Sequence, residues 1–280
     1  MNNRYAAGLQ LIIVSAIWAS TFVFIKEIVN ELSIFLIVSL RFFIASFLMA
    51  IFLLCARKNP FKKSILKKGG LLGVLLFIIF SVQALALRHT NPSNAAFINN
   101  LFVIFIPAIA YFVFGNKVSC RTFILCLVSF LGIALITSVD SSINFGDIIM
   151  LFAAVAVALH VVLVGKYAKA EEMLQILFVQ FLTIFGLSTI SFLLIDASPI
   201  VPGLRHLSVI FYLALFATLL GFFLQMKAQK VISPAIAGTI FALQPFFTTI
   251  LSIIIIGEHL TLTKVLGGSL MIISTALAGR

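Results

Sequence analysis

Apolar runs of about twenty residues, separated by short polar breaks, fill this chain from end to end. A helix needs about 20 apolar residues to cross roughly 30 Å of hydrocarbon. The pattern predicts ten spans, at about 8–28, 33–55, 69–87, 92–114, 121–138, 146–165, 174–195, 207–225, 234–256 and 262–279. Between them lies loop chemistry, as in Arg57-Lys58-Asn59-Pro60 and Asp196-Ala197-Ser198-Pro199. The connections leave no room for a soluble domain, and the first run is too long for the apolar part of a signal peptide.

A second pattern overlies the first. At an offset of 142 residues, Gln83, Ala86, Pro92, Ala95 and Gly115 recur as Gln225, Ala228, Pro234, Ala237 and Gly257, and nine of 36 positions match between 80–115 and 222–257. An internal duplication divides the chain into five-span halves, 1–140 and 146–280. An odd number of spans per half makes the second run through the bilayer in the opposite sense. The expected fold is all-α, ten transmembrane helices as two inverted five-helix repeats, with a functional site where the halves meet.

Composition agrees: 62% of residues are hydrophobic and 10% are charged, far from the quarter usual in soluble domains. The net charge of +11 would suggest nucleic acid in a soluble protein, but here the cations sit between apolar runs and set orientation instead. With the N-terminus cytoplasmic, 14 of 19 Lys and Arg fall inside, so both termini are expected in the cytoplasm. Cys55, Cys120 and Cys126 have no paired spacing, so neither disulfide nor metal is implied, and nothing calls for a cofactor.

Trp18 in Ala16-Ile17-Trp18-Ala19-Ser20-Thr21-Phe22, then Leu40-Arg41-Phe42, Gly146-Asp147, and Pro245 ahead of Gly257-Glu258 and Gly267-Gly268 give the chain the look of a family. In this order they resemble EamA-type proteins of the drug/metabolite transporter superfamily, over essentially the whole length. The resemblance implies a carrier with a central cavity lined mainly by the first, third, fourth, sixth, eighth and ninth spans. The first half departs from the pattern, with Asn116 opposite Glu258 and Val103 opposite Pro245.

No Asp or Glu lies near the middle of a span, so a carboxylate proton relay has no obvious carrier. Asp147 and Glu258 fall at span ends, as solvated caps. Arg41 is about 12 Å deep at 1.5 Å per residue. It either attracts an anionic or zwitterionic substrate or acts structurally, on carbonyls, by snorkelling, or by pairing with Glu27 or Glu31. Trp18 is packed core or cavity wall, and Thr21 bonds back to its own helix or faces the cavity. His160 either titrates or is hydrogen-bonded, neutral, between helices. Gln83, Asn94, Asn99, Gln225 and Gln244 are cavity candidates that bind polar groups without charge, with interhelical bonding as their other use. Asn99 and Asn100 lie about 100° apart, so one of them faces the cavity. Pro107 and Pro245, inside their spans, are expected kinks or hinges.

The expected protein is a multi-pass carrier of the bacterial inner membrane, a monomer or homodimer in the lipid bilayer, with no nucleic-acid partner. Its substrate is a small organic metabolite, an amino acid or related compound, moved outward by alternating access. A membrane-embedded enzyme lacks catalytic residues at any telling spacing, and a channel lacks a charged or polar ring.

Overall fold

The computed structural model describes residues 2–90, 92–115, 119–136, 144–168, 172–196, 201–256 and 261–278. The described residues form helices α1 (Asn2–Ile28), α2 (Ile34–Cys55), α3 (Lys63–His89), α4 (Pro92–Asn100), α5 (Phe102–Phe114), α6 (Cys120–Ile136), α7 (Phe145–Tyr167), α8 (Met173–Ile195), α9 (Leu204–Tyr212), α10 (Gly221–Ala228), α11 (Pro234–Phe241), α12 (Gln244–Ile256) and α13 (Leu262–Ala278), with a π-helical segment, Leu213–Leu220, between α9 and α10. Seven helical stretches among them are long and apolar enough to cross a membrane, and three shorter apolar ones cover 98–114, 120–132 and 265–274. Side chains such as Phe47, Phe112, Phe152 and Leu194 stand exposed on the outer faces. Helices apolar outside as well as inside belong in lipid.

Polar residues set the helix starts. Ser33 accepts from the Leu36 N–H and Ser233 from the Ile236 N–H, and Pro234 takes the first position of α11, where its missing N–H costs nothing. Asn144 and Asp147 form a reciprocal capping box at α7. Asp147 also accepts a 2.7 Å bond from Thr90 Oγ1 and is only 8% exposed, so it is a buried cap rather than the solvated one expected. Glu258 lies outside the described residues, as do Asn116 and Gly257.

The spans expected at 92–114 and 234–256 are each broken in two. The breaks fall at Leu101 and at Ala242-Leu243, so the duplicated leucines 101 and 243 mark both. Of the two expected kinks, Pro245 is the second residue of α12, just past its break, where it lacks the N–H that would bond Phe241 O, and Pro107 sits inside α5, six residues beyond Leu101. At both breaks the N–H bonds three residues back, Leu101 to Ile98 O and Leu243 to Ile240 O, tightening the turn as 3₁₀ geometry does.

Packing follows the duplication. α2 lies along α8 and α6 along α13, each helix against its own counterpart. α3 packs on α7 as α1 packs on α10, and α5 on α11 as α12 on α4. At one end of the molecule Lys26 Nζ donates to Leu87 O and Thr90 O, and Arg88 donates to Val29 O and Leu32 O, so α1 and α3 finish together where α7 and α9 begin. At the other end Arg4, Arg121 and Leu277 line one cleft of about 800 Å³.

Candidate functional site

Between these ends lies a small internal cavity of about 60 Å³, lined by α1, α2, α3, α4, α5, α7, α10, α11 and α12. That is room for a few waters, well short of the ~300 Å³ of a small ligand pocket. Of its seventeen lining residues, ten form five pairs 142 apart: Trp18 with His160, Phe80 with Phe222, Gln83 with Gln225, Asn99 with Phe241, and Phe102 with Gln244. Two pairs keep their residue type. In the others a polar group on one side faces an aromatic or indole ring on the other, so the halves share a frame and differ in chemistry.

Trp18, Thr21, Arg41, Gln83, Asn99, His160, Gln225 and Gln244 all reach this one cavity. The Asn94 side chain lies outside the described residues. Asn99 turns inward and accepts a 2.8 Å bond from Gln83 Nε2, while Asn100 donates back to Ala96 O. Thr21 lines the cavity and also donates to Trp18 O. Pro107 and Pro245 do not line it.

Arg41 is 2% exposed and pairs with no carboxylate among the described residues. Glu27 and Glu31, its expected partners, belong instead to Arg205 and His206 at the surface. Arg41 Nε donates to Thr218 Oγ1 at 2.6 Å, and its Cζ lies 4.4 Å from the Phe80 ring centroid. A cation over a ring face gains electrostatic attraction without a counter-ion. Thr218 sits in the π segment and donates its own proton to Leu213 O, five residues back. Trp18 Nε1 donates to Ala217 O in the same segment at 2.8 Å. Gly221 makes room for the indole: a Cβ there would lie 2.7 Å from Trp18 Nε1. π segments widen a helix by one residue per turn and gather at functional sites. Here one segment anchors both the indole and the guanidinium.

Other polar atoms at the cavity have no hydrogen-bond partner among the described residues. Both amide atoms of Gln225 are buried and without a hydrogen bond, and so is His160 Nε2. The His160 ring meets Phe222 edge-on at 5.8 Å between centroids. Buried polar atoms left unpaired cost about 1–3 kcal/mol each. Water or ligand atoms in the cavity remove that cost. The sequence reading missed Thr218 and the aromatic liners Phe80, Phe102, Phe222 and Phe241. A threonine in Leu-Ala-Leu-Phe-Ala-Thr-Leu-Leu carries no mark of an arginine partner 177 residues away.

Apolar helices around a buried, part-polar cavity, with one end bound together and a cleft at the other, define a multi-pass membrane transporter. The EamA-like transporter family profile matches the chain twice, over residues 6–138 and 144–280, and the chain belongs to that family. It is 27% identical over 276 residues to an uncharacterized transporter of Archaeoglobus fulgidus, covering 98% of this chain and 86% of that one. It is 25% identical over 283 residues to the uncharacterized transporter YetK of Bacillus subtilis, covering 95% and 84%. A solved protein crystal structure shares the fold, with a TM-score of 0.80 over 98% of both chains at 16% identity.

Proposed function

We propose that the chain is a ten-span carrier of the bacterial inner membrane, built from two inverted five-helix halves, which moves a small organic metabolite outward by alternating access. One observation carries this reading: ten of the seventeen cavity residues are pairs separated by the duplication offset. A site built jointly by two copies lies where they rock against each other. The reciprocal packing of α2 on α8 and α6 on α13 supports it, as do the helix breaks 142 residues apart.

Both termini face the cytoplasm in this reading, which makes the 800 Å³ cleft beside Arg4 and Arg121 the cytoplasmic vestibule. A vestibule there suits loading from inside, and hence export. The carrier works as a monomer or homodimer whose apolar exterior is solvated by lipid. Compounds related to amino acids, with a carboxylate on an apolar body, match the cavity's mixture of amide, aromatic and cationic groups. Purified protein in liposomes is expected to give saturable, stereoselective flux of such a metabolite. Flux linear in concentration across a broad panel overturns the carrier reading.

A further inference from the structure

Resting on the carrier reading, in which the 60 Å³ cavity widens as the halves rock open, we infer that it selects organic monoanions: one carboxylate, or a similarly flat oxyanion, on Arg41, and an apolar body among the rings. Charge is the first argument. Among the described residues Arg41 is the only Lys, Arg, Asp or Glu lining the cavity, and it is buried without a carboxylate partner. A buried, unpaired charge is costly, and a partner of opposite sign relieves the cost. A monoanion neutralises the site. A cation adds to the repulsion, and a zwitterion leaves its ammonium with no carboxylate to meet.

Geometry is the second argument. The Thr218 hydroxyl accepts from Nε and the Phe80 ring covers one face of the guanidinium. Among the described residues no acceptor takes the Nη donors, so they remain for the planar fork that arginine offers a carboxylate. Thr218 is the positioning residue. Its proton is committed to Leu213 O, so its lone pairs face Nε. The unpartnered Gln225 amide offers one donor and one acceptor to a polar substituent on the body.

The only tryptophan in the chain lines this cavity, so its emission reports occupancy in the purified full-length protein without any need for transport. The probes share one skeleton: 3-phenylpropanoate, phenylalanine and phenethylamine. The anion is expected to change Trp18 emission saturably, with phenylalanine about tenfold weaker or more and phenethylamine without effect. Arg41→Gln should abolish the response. Arg41→Lys, which keeps the charge but not the fork, should weaken it about tenfold. Thr218→Val should weaken it several-fold, and Thr218→Ser should restore it.

Phenylalanine or phenethylamine binding as tightly as the anion overturns the inference, as does the absence of any saturable response to the anion. Anion binding unchanged in folded Arg41→Gln overturns it too. If that variant does not fold, the wild-type panel and the Thr218 pair decide. Anion binding without liposome flux defeats the carrier reading alone. Flux of a cation with no anion binding defeats this inference alone.

Discussion

Trp18 shows how one side chain joins local structure to the site. Its ring contacts Phe222 and Phe241, with centroids 5.2 and 5.1 Å away, while its N–H satisfies a carbonyl of the π segment. Trp18→Phe keeps most of the ring packing and removes the bond. A loss of about 1 kcal/mol in stability is expected, read as a lower unfolding temperature in detergent; an unchanged temperature would show the bond carries nothing. Thr90→Val is a second case, because it strips the hydroxyl donor from buried Asp147. About 1–3 kcal/mol should go, while Thr90→Ser keeps the donor and most of the stability. Most of the polar residues at the cavity were singled out in the sequence, by their cost in lipid and by the spans that the family resemblance places there. Their partners were not, since Thr218 looks like any back-bonding hydroxyl until the fold brings α2 against the π segment.

Helix pairing depends on small residues that let backbones approach. Gly69 and Gly73 are spaced as Gly-x-x-x-Gly on α3 and meet α8, where a Cβ on Gly73 would sit 2.7 Å from Gln180 O and 2.5 Å from Thr183 Cβ. Gly132 meets α13 in the same way, with Gly267 O at 2.8 Å. Gly73→Val is expected to cost about 1–3 kcal/mol by overpacking against backbone that cannot yield. Gly70 has nothing within 4 Å of its would-be Cβ, so Gly70→Ala should hold or raise the unfolding temperature through better helix propensity. Equal losses for the two variants would show that close approach does not hold α3 on α8. Apolar run length located the helices well, because bilayer thickness fixes it. The sequence pointed to kinks at Pro107 and Pro245 and not to the breaks at Leu101 and Ala242-Leu243. Proline helps place only the second, which lies just before Pro245, whereas Pro107 is six residues past the first. Nothing in Leu213–Leu220 announces a π segment, whose extra residue depends on Trp18, Arg41 and Thr218 together.

At the scale of the whole molecule, the two ends are held differently. Beside the backbone bonds of Lys26 and Arg88, a surface clasp joins the end of α1 and the α1–α2 turn to α9: Arg205 lies 3.9 Å from Glu27 and 3.5 Å from Glu31, and His206 Nε2 donates to Glu31 Oε2 at 2.7 Å. The Gly203 N–H donates to His206 Nδ1, which puts the ring proton of the neutral tautomer on Nε2. The His206 bond holds the Glu31 carboxyl below the ordinary glutamate range; slight burial opposes this and the charge of Arg205 adds to it. A carboxyl whose folded value is depressed stabilises the clasped state fully above its unfolded value and loses that stabilisation as pH falls through the depressed one. The unfolding-temperature gap between wild type and Glu31→Gln should therefore be widest near neutrality and close below about pH 4. A gap constant across that range would remove Glu31 from the clasp. Under the proposed alternating access, opening this end means breaking the clasp, so at pH 7 Glu31→Gln should also expose the cavity more often from this side. With Cys55, Cys120 and Cys126 replaced by serine, a cysteine at Phe22, which lines the cavity, should react several-fold faster with an impermeant thiol reagent added at that face. Equal rates would mean that the clasp decorates the end of the transporter without gating it.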